Sequence, residues 1–202
     1  MVVVAGVDEV GRGCLAGPVY AAAVILPDRC RLPGLNDSKL ISREKREELM
    51  PMIRRKAVAF AVASASVEEI DRINILQATF LAMRRALQGL AQQPDIVLID
   101  GDRVPPELGC KAETIVGGDA RSYSIAAASI FAKVTRDRYM VRLAESFPGY
   151  GWETNVGYKS PAHLRALNSI GPTPHHRRSF APVARLLGLA GSVEAVAAEG
   201  DE

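Results

Sequence analysis

The stretch that most constrains this chain begins almost at its N-terminus: Val2-Val3-Val4-Ala5-Gly6-Val7-Asp8-Glu9-Val10-Gly11-Arg12-Gly13. An apolar, β-branched run of this kind reads as a buried strand, and here it runs into two adjacent carboxylates. Ionised carboxylates at a buried strand end are costly unless positive charge lies beside them. No lysine or arginine precedes the pair, so a bound metal cation is one reading. A solvated loop after an edge strand, with both acids facing water, is the other. The local sequence leaves both open.

The rest of the chain repeats the theme. Pro94-Asp95-Ile96-Val97-Leu98-Ile99-Asp100-Gly101 is a second buried β run that ends on an acid and then glycine. Between the two lie Val19–Leu26, a strand closed by Pro27, and a charged helix over 44–56 entered from a Ser42 cap. A third strand over 57–66 follows, then helical turns from Val67 and a core-facing helix over 74–90. Beyond Asp100 the pattern predicts a short strand over 112–116, a Gly117-Gly118-Asp119 turn and a long helix over 122–147. A loop over 148–160 and short helices over 161–170 and 182–189 complete the reading. Strands first, then alternating helix and strand, predict a mixed α/β sheet with helices against it. Ligands of such sheets bind outside the carboxyl ends of the strands, where Asp8, Glu9 and Asp100 all fall.

Gly11, Gly13 and Gly17 nearly mimic a dinucleotide fingerprint, but with one residue too many and with a strand where a helix should open. That reading is rejected. A chain of 202 residues with 48% hydrophobic residues supplies the core of one domain with an appendage. We divide it at 1–147 (a catalytic core), 148–189 (a substrate-binding loop and helical extension) and 190–202 (a flexible acidic tail). Net charge is only +2, yet no acid occurs from Thr154 to Val193, where Lys159, Arg165, Arg177, Arg178, Arg185 and all three histidines lie. This is a basic face on a nearly neutral protein. Three cysteines without a CxxC pair imply reduced thiols. With no signal peptide evident and no apolar run near the ~20 residues of a membrane span, the expectation is a soluble, cytoplasmic protein.

The fourth acid singled out is Asp137, among Lys133, Arg136 and Arg138, where the long helix turns from apolar to charged. Alone it reads as helix-surface pairing. With Asp8, Glu9 and Asp100 it makes a quartet that cannot all ionise around one point without compensation. Hard divalent cations suit such oxygens. Two of them can hold a scissile phosphate, activate a water and stabilise the leaving oxygen. His175 and His176, in a proline-rich loop, are read as structural rather than as ligands. Ser124 and Ser129 are read as allowing close packing on an alanine-rich helix, not as nucleophiles.

These residues carry a resemblance to the bacterial ribonuclease HII family, the type 2 ribonucleases H. The matching pieces are Asp8-Glu9-Val10-Gly11-Arg12-Gly13, Leu15-Ala16-Gly17-Pro18-Val19, Asp37-Ser38-Lys39 and Leu98-Ile99-Asp100-Gly101. They continue through Ser124–Ile130, Ala132-Lys133-Val134-Thr135-Arg136-Asp137, Gly157-Tyr158 and His176-Arg177-Arg178-Ser179-Phe180, in order from about 5 to 187. The resemblance implies a ribonuclease H-like mixed β-sheet flanked by helices, with a C-terminal helical extension. It implies a metal-dependent endonuclease, using Mn2+ or Mg2+, that cuts RNA in RNA–DNA hybrids and nicks 5′ of single ribonucleotides in duplex DNA. The ends would be a 3′-hydroxyl and a 5′-phosphate, and the roles would be RNA primer removal and ribonucleotide excision repair. By position, Asp8, Glu9, Asp100 and Asp137 would be catalytic metal ligands. Gly11, Arg12 and Gly13 would contact the 2′-hydroxyl and a nearby phosphate, and Tyr158 the following deoxyribose.

The chemistry of these residue types agrees. Glycine admits close backbone approach, and the 2′-hydroxyl is what separates RNA from DNA. Lys39, Arg43, Lys133, Lys159, Arg177 and Arg178 are candidate phosphate contacts independent of sequence. Val156 stands where relatives carry a basic residue, with Lys159 nearby as a substitute. No room is seen for the extra N-terminal domain of type 3 enzymes, and the tail has no aromatic sliding-clamp motif, so a monomer without clamp contact is expected. A glycosidase built on paired acids would want aromatic sugar platforms, and aromatics total 5%. A catalytically dead binder would have lost an acid.

Overall fold

The computed structural model describes residues 2–30, 32–35 and 41–189. The Asp37-Ser38-Lys39 turn, with the expected Lys39 phosphate contact, and the acidic tail from 190 onward lie outside them. The chain divides into two compact units, one of Met1–Val10, Tyr20–Ser64 and Thr79–Arg136, the other of Gly11–Val19, Ala65–Ala78 and Asp137–Glu202.

The first unit carries a five-stranded sheet of β1 (Val4–Val10), β2 (Val19–Ile25), β3 (Ala59–Ala65), β4 (Ile96–Asp100) and β5 (Lys111–Ile115). Their order is β3-β2-β1-β4-β5. β1 runs antiparallel to β2, with Asp8 opposite Ala22, and parallel to β4, with Val7 opposite Ile99. β4 and β5 are parallel, with Asp100 opposite Ile115. The middle strand β1 and its parallel neighbour β4 are therefore the two β runs that carry the acids. Their small and branched side chains suit strands buried on both faces.

Helix α1 (Arg43–Lys56) starts at Ser42, whose Oγ accepts the Lys45 N–H at 3.3 Å. Its Leu49 and Ile53, four residues apart, are buried. Helix α2 (Val67–Gln88) breaks at Asn74, which has φ 65° and ψ 167°. This is where the sequence separates the opening turns from the core-facing helix. Each piece has its own cap. Ser66 and Glu69 form a reciprocal capping box at 3.2 and 2.8 Å, and Asn74 Oδ1 accepts from the Gln77 N–H at 3.0 Å.

Helix α3 (Tyr123–Ser146) packs its alanine-rich start, Ala126-Ala127-Ala128, into the core beside Ala22, Val24, Leu49 and Ile53. Phe60 and Phe131 stack there at 4.6 Å. Contact with β1 is closer than side chains would allow. A Cβ on Gly6 would lie 2.2 Å from the Ser124 carbonyl carbon and 2.3 Å from Ile125 N.

In the second unit, the span expected as loop from 148 to 160 contains a short helix, α4 (Trp152–Asn155). Glycine-like backbone at Gly149, Gly151, Val156 and Gly157 turns the chain on either side. The wholly buried Trp152 anchors it among Met140, Tyr150 and Ala166. Helix α5 (Pro161–Ile170) has the bounds expected, with Ser160 Oγ accepting the His163 N–H at 3.1 Å and Gly171 at its end. Helix α6 (Ala181–Leu186) is shorter than the expected 182–189. Among the described residues no helix is long and apolar enough to cross a membrane.

Candidate active site

β1 and β4 are parallel and in register, so their carboxyl ends carry Asp8, Glu9 and Asp100 side by side. Asp8 shares a face with Gly6, two residues earlier, and that face is the one α3 approaches. Five residues past Ser124, the Ser129 hydroxyl donates to the Asp8 carboxylate. Ser129, expected only to allow close packing, thus also serves as a hydrogen-bond donor to Asp8. Asp8 Oδ1 also accepts the Glu9 N–H at 2.7 Å.

Asp8 is 5% exposed. Burial pushes its carboxyl well above the usual carboxylate range, and the neighbouring Glu9 and Asp100 push the same way. The Ser129 and Glu9 N–H bonds oppose that rise.

A further acid, which no periodicity in the chain marks out, joins this unit. The 3₁₀ turn Gly118–Ala120 follows β5. The Gly118 N–H donates to Asp100 Oδ1 at 2.7 Å, which places the buried Asp119 beside the site. A Cβ at Gly118 would crowd Ile125 Cδ1 at 2.5 Å and Asp100 Oδ1 at 3.3 Å. Glu9 Oε2 and Asp119 Oδ2 are buried oxygens that accept no hydrogen bond, although both residues are engaged through other contacts.

The set is one of oxygen donors only, partly desolvated and mutually repelling. That composition fits a hard divalent cation. The acids are neighbours along strands and a turn, not a closed cage: among the described residues no three His, Cys, Asp or Glu side chains already enclose a metal position. Asp137 belongs to the second unit, eight residues beyond Ser129 on α3, and is buried next to Arg136 in the chain. Of the basic candidates in the first unit, Arg43 is exposed and Lys133 half-buried.

The second unit holds Gly11, Arg12 and Gly13. Arg177, expected to meet phosphate, has a different task. It is fully buried, and its guanidinium donates to Gly17 O (Nε 3.0 Å, Nη2 2.8 Å), Arg12 O (2.7 Å) and Gly11 O (2.6 Å). The five-donor fork of arginine suits such a gathering of carbonyls. The same loop is stitched by Arg177 N–H to Leu15 O and Leu15 N–H to Gly157 O, at 2.9 and 2.8 Å.

Two glycines here differ in their reasons. Gly157, at φ 86°, sits so close to the loop that a Cβ would lie 2.6 Å from Ala16 O. Gly13 is exposed, and a Cβ there would meet nothing within 4 Å. Nothing inside the protein demands glycine at 13. Tyr158 is 40% exposed, as are Lys159 and Arg178 more generally. The Arg178 and Ser179 N–H groups are held by Asp71 at 3.0 and 2.9 Å. Val156, left-handed at φ 43°, is buried against Trp152 and Met140, so it serves the turn as an apolar anchor.

Beneath this loop Trp152 Nε1 donates to His163 Nε2 at 3.0 Å, and His176 Nε2 approaches the same nitrogen at 3.0 Å. Burial pushes both histidines below their ordinary range, His176 to about 4 with His163 adding to the effect. The fold therefore favours neutral imidazole. The stability this gives is full above the unfolded value near 6.5 and is lost as pH falls from there toward 4, roughly 3 kcal/mol for His176. Asp8 acts in the opposite sense, because its raised value favours the fold as it protonates. Urea unfolding at pH 7 and pH 4.5 should show a drop in the wild type that His176→Asn flattens. Equal slopes in both proteins would show that His176 is not the group responsible.

A five-stranded mixed sheet with helices against it, and carboxylates at the ends of two adjacent parallel strands, defines a nuclease of the ribonuclease H-like class. The ribonuclease HII family model matches residues 5–183, and the chain belongs to that family. It is 59% identical over 184 residues to ribonuclease HII of Paracoccus denitrificans, covering 91% of this chain and 87% of that one. To ribonuclease HII of a Ruegeria species it is 60% identical over 185 residues, covering 91% and 80%. The solved ribonuclease H2 of Pyrococcus horikoshii superposes with a TM-score of 0.77 at 25% identity, covering 95% of this chain and 99% of that one. The ribonuclease HII of Archaeoglobus fulgidus, solved in complex with PCNA, gives 0.70 at 31%, covering 87% and 94%. The chain is thus an endonuclease, a hydrolase acting on the RNA of RNA–DNA hybrids, of a divalent-metal-dependent family.

Proposed function

We propose that this enzyme also nicks duplex DNA immediately 5′ of a single embedded ribonucleotide, leaving 3′-hydroxyl and 5′-phosphate ends, as a monomer using Mg2+ or Mn2+. A related ribonuclease HIII has been solved with Mn2+. Asp8, Glu9 and Asp100 hold the metal. For the fourth ligand the observations favour Asp119 over Asp137, because Asp119 follows the residue whose N–H fixes Asp100.

Bound there, divalent metal supplies an activated water and charge stabilisation at the scissile phosphate. Ser129 orients Asp8 and keeps one of its oxygens turned from solvent. Gly11, Arg12 and Gly13 meet the 2′-hydroxyl and its phosphate, and Tyr158 packs on the next deoxyribose. Arg43, Lys133, Lys159 and Arg178 line the duplex phosphates. Primer removal and excision of misincorporated ribonucleotides would both use this chemistry.

The observation that carries the junction reading is Gly13. It is exposed, beside open space, in a loop whose carbonyls are gathered onto Arg177. A glycine without a packing reason of its own leaves the backbone open to close approach by a sugar, which supports this reading. The test is cleavage of a labelled duplex carrying one ribonucleotide, with Mg2+, Mn2+ or chelator, beside an all-DNA control. A metal-dependent nick 5′ of the ribonucleotide is expected, and Gly13→Ala should lose it without losing melting temperature. Cleavage confined to long hybrids would sink the junction reading and keep the metal chemistry. Calorimetric Mn2+ titration of Asp119→Asn and Asp137→Asn decides the fourth ligand: the variant that loses affinity held it.

A further inference from the structure

The proposed sugar contact leaves one matter open: what keeps Tyr158, 40% exposed on a glycine turn, in a pose that reads a sugar. Its side chain is outside, but its carbonyl points inward, where His163 Nδ1 lies 2.9 Å away. A carbonyl only accepts, so Nδ1 carries the proton. Neutral His163 then presents a bare Nε2, and that nitrogen faces the Trp152 indole N–H at 3.0 Å and His176 Nε2 at 3.0 Å.

His176 is fixed from its other side. Its Nδ1 accepts the Thr173 N–H at 2.9 Å and lies 3.0 Å from the Thr173 hydroxyl. Its proton is therefore on Nε2, aimed at His163. Indole N–H, two imidazoles and two backbone groups fit one arrangement of protons. Reversing either ring sets N–H against N–H. All three rings are wholly buried, where such a conflict has no water to relieve it.

We propose that His163 is a positioning residue for Tyr158: Trp152 and His176 lock it in the Nδ1–H tautomer, and that N–H holds the Tyr158 backbone so that the ring is presented to the deoxyribose. This rests on the sugar-contact reading of Tyr158. The placement of the elements explains why three separate stretches are needed. His163 comes from the first turn of α5, Trp152 from α4 and His176 from the loop before Arg177. The turn itself contributes Tyr158 N–H to Asn155 O at 2.9 Å and Ser160 N–H to the Tyr158 carbonyl at 2.8 Å, and His163 adds the side-chain donor to that same carbonyl.

Nitrogen-15 NMR of the imidazoles in the full chain at neutral pH reads the lock directly. We expect the proton of His163 on Nδ1 and that of His176 on Nε2. His163 protonated at Nε2, or either ring cationic, overturns the proposal, and this measurement needs no variant to fold. The kinetic readout is the ratio of kcat/KM on a single-ribonucleotide duplex to that on an RNA–DNA hybrid. His163→Leu should lower that ratio about tenfold, the effect of one lost hydrogen bond, and mainly through KM. His163→Asn, whose amide can still donate toward Tyr158 O, should recover most of it.

In Tyr158→Ala, adding His163→Leu should lower the ratio no further. If Tyr158→Ala lowers the ratio and a folded His163→Leu does not, the positioning role is overturned while the sugar contact stands. If Tyr158→Ala itself leaves the ratio unchanged, the sugar contact falls and the role of His163 falls with it.

Discussion

Asp100→Asn is expected to cut hybrid hydrolysis at least a thousandfold, roughly 4 kcal/mol of barrier, in a protein that folds as well as the wild type. The reason for both halves lies in one carboxylate. Asp100 Oδ1 accepts the Gly118 N–H, and an asparagine oxygen can accept the same bond, so the 3₁₀ turn after β5 stays in place. What disappears is a charge that the proposed metal site requires. The substitution also removes one of the neighbours that push Asp8 upward, so Asp8 should ionise at lower pH, and the metal-free fold should melt no lower than the wild type. Turnover, thermal melting and carbon-13 titration of the Asp8 carboxyl check the three parts. Retained turnover would take Asp100 out of the site; a large fall in melting temperature would make its role structural.

The largest effect on stability is expected from Gly6→Ala. The added methyl would lie 2.2, 2.3 and 2.6 Å from the Ser124 carbonyl carbon, Ile125 N and Ser124 O. These are backbone atoms of a helix start, and no rotamer change moves them. Either β1 or α3 must shift, at a cost of about 3 kcal/mol or more. For a chain of this size that is a drop in melting temperature of about 6–12 °C. The shift also draws Ser129 from Asp8, so the residual folded protein should be less active than its folded fraction predicts. A melting temperature within a degree or two of wild type would mean that β1 and α3 are not in backbone contact.

Much of this was legible because the signals were local. Ser160, Pro161 and Gly171 bound α5 at both ends by capping chemistry that three residues spell out. Asp8, Glu9 and Asp100 stood out because apolar runs ended on them. The misses are long-range. Asp119, proposed as the fourth ligand, sits in a glycine turn without periodicity, and the docking of Gly118 on Asp100, at the end of a strand 18 residues earlier, brings it to the other acids. Arg177 in a basic stretch resembles any phosphate contact, and its burial depends on carbonyls 160 to 166 residues earlier in the chain. Trp152, alone of its kind, could have marked α4, but a helix of four residues has no period to detect.

The span of the Arg177 bonds has a consequence for the order of events at the ribosome. The loop from Gly11 to Gly17 leaves the exit tunnel 160 to 166 residues ahead of the guanidinium that gathers its carbonyls. Contacts of such sequence separation form late, and domains are completed as they emerge. Between those two points the nascent chain has Asp8, Glu9 and Asp100 but not the side chain that holds the Gly11–Gly17 loop together. A chain broken off before residue 177 would lack that clasp for good, so the loop takes its final form only once Arg177 has been added.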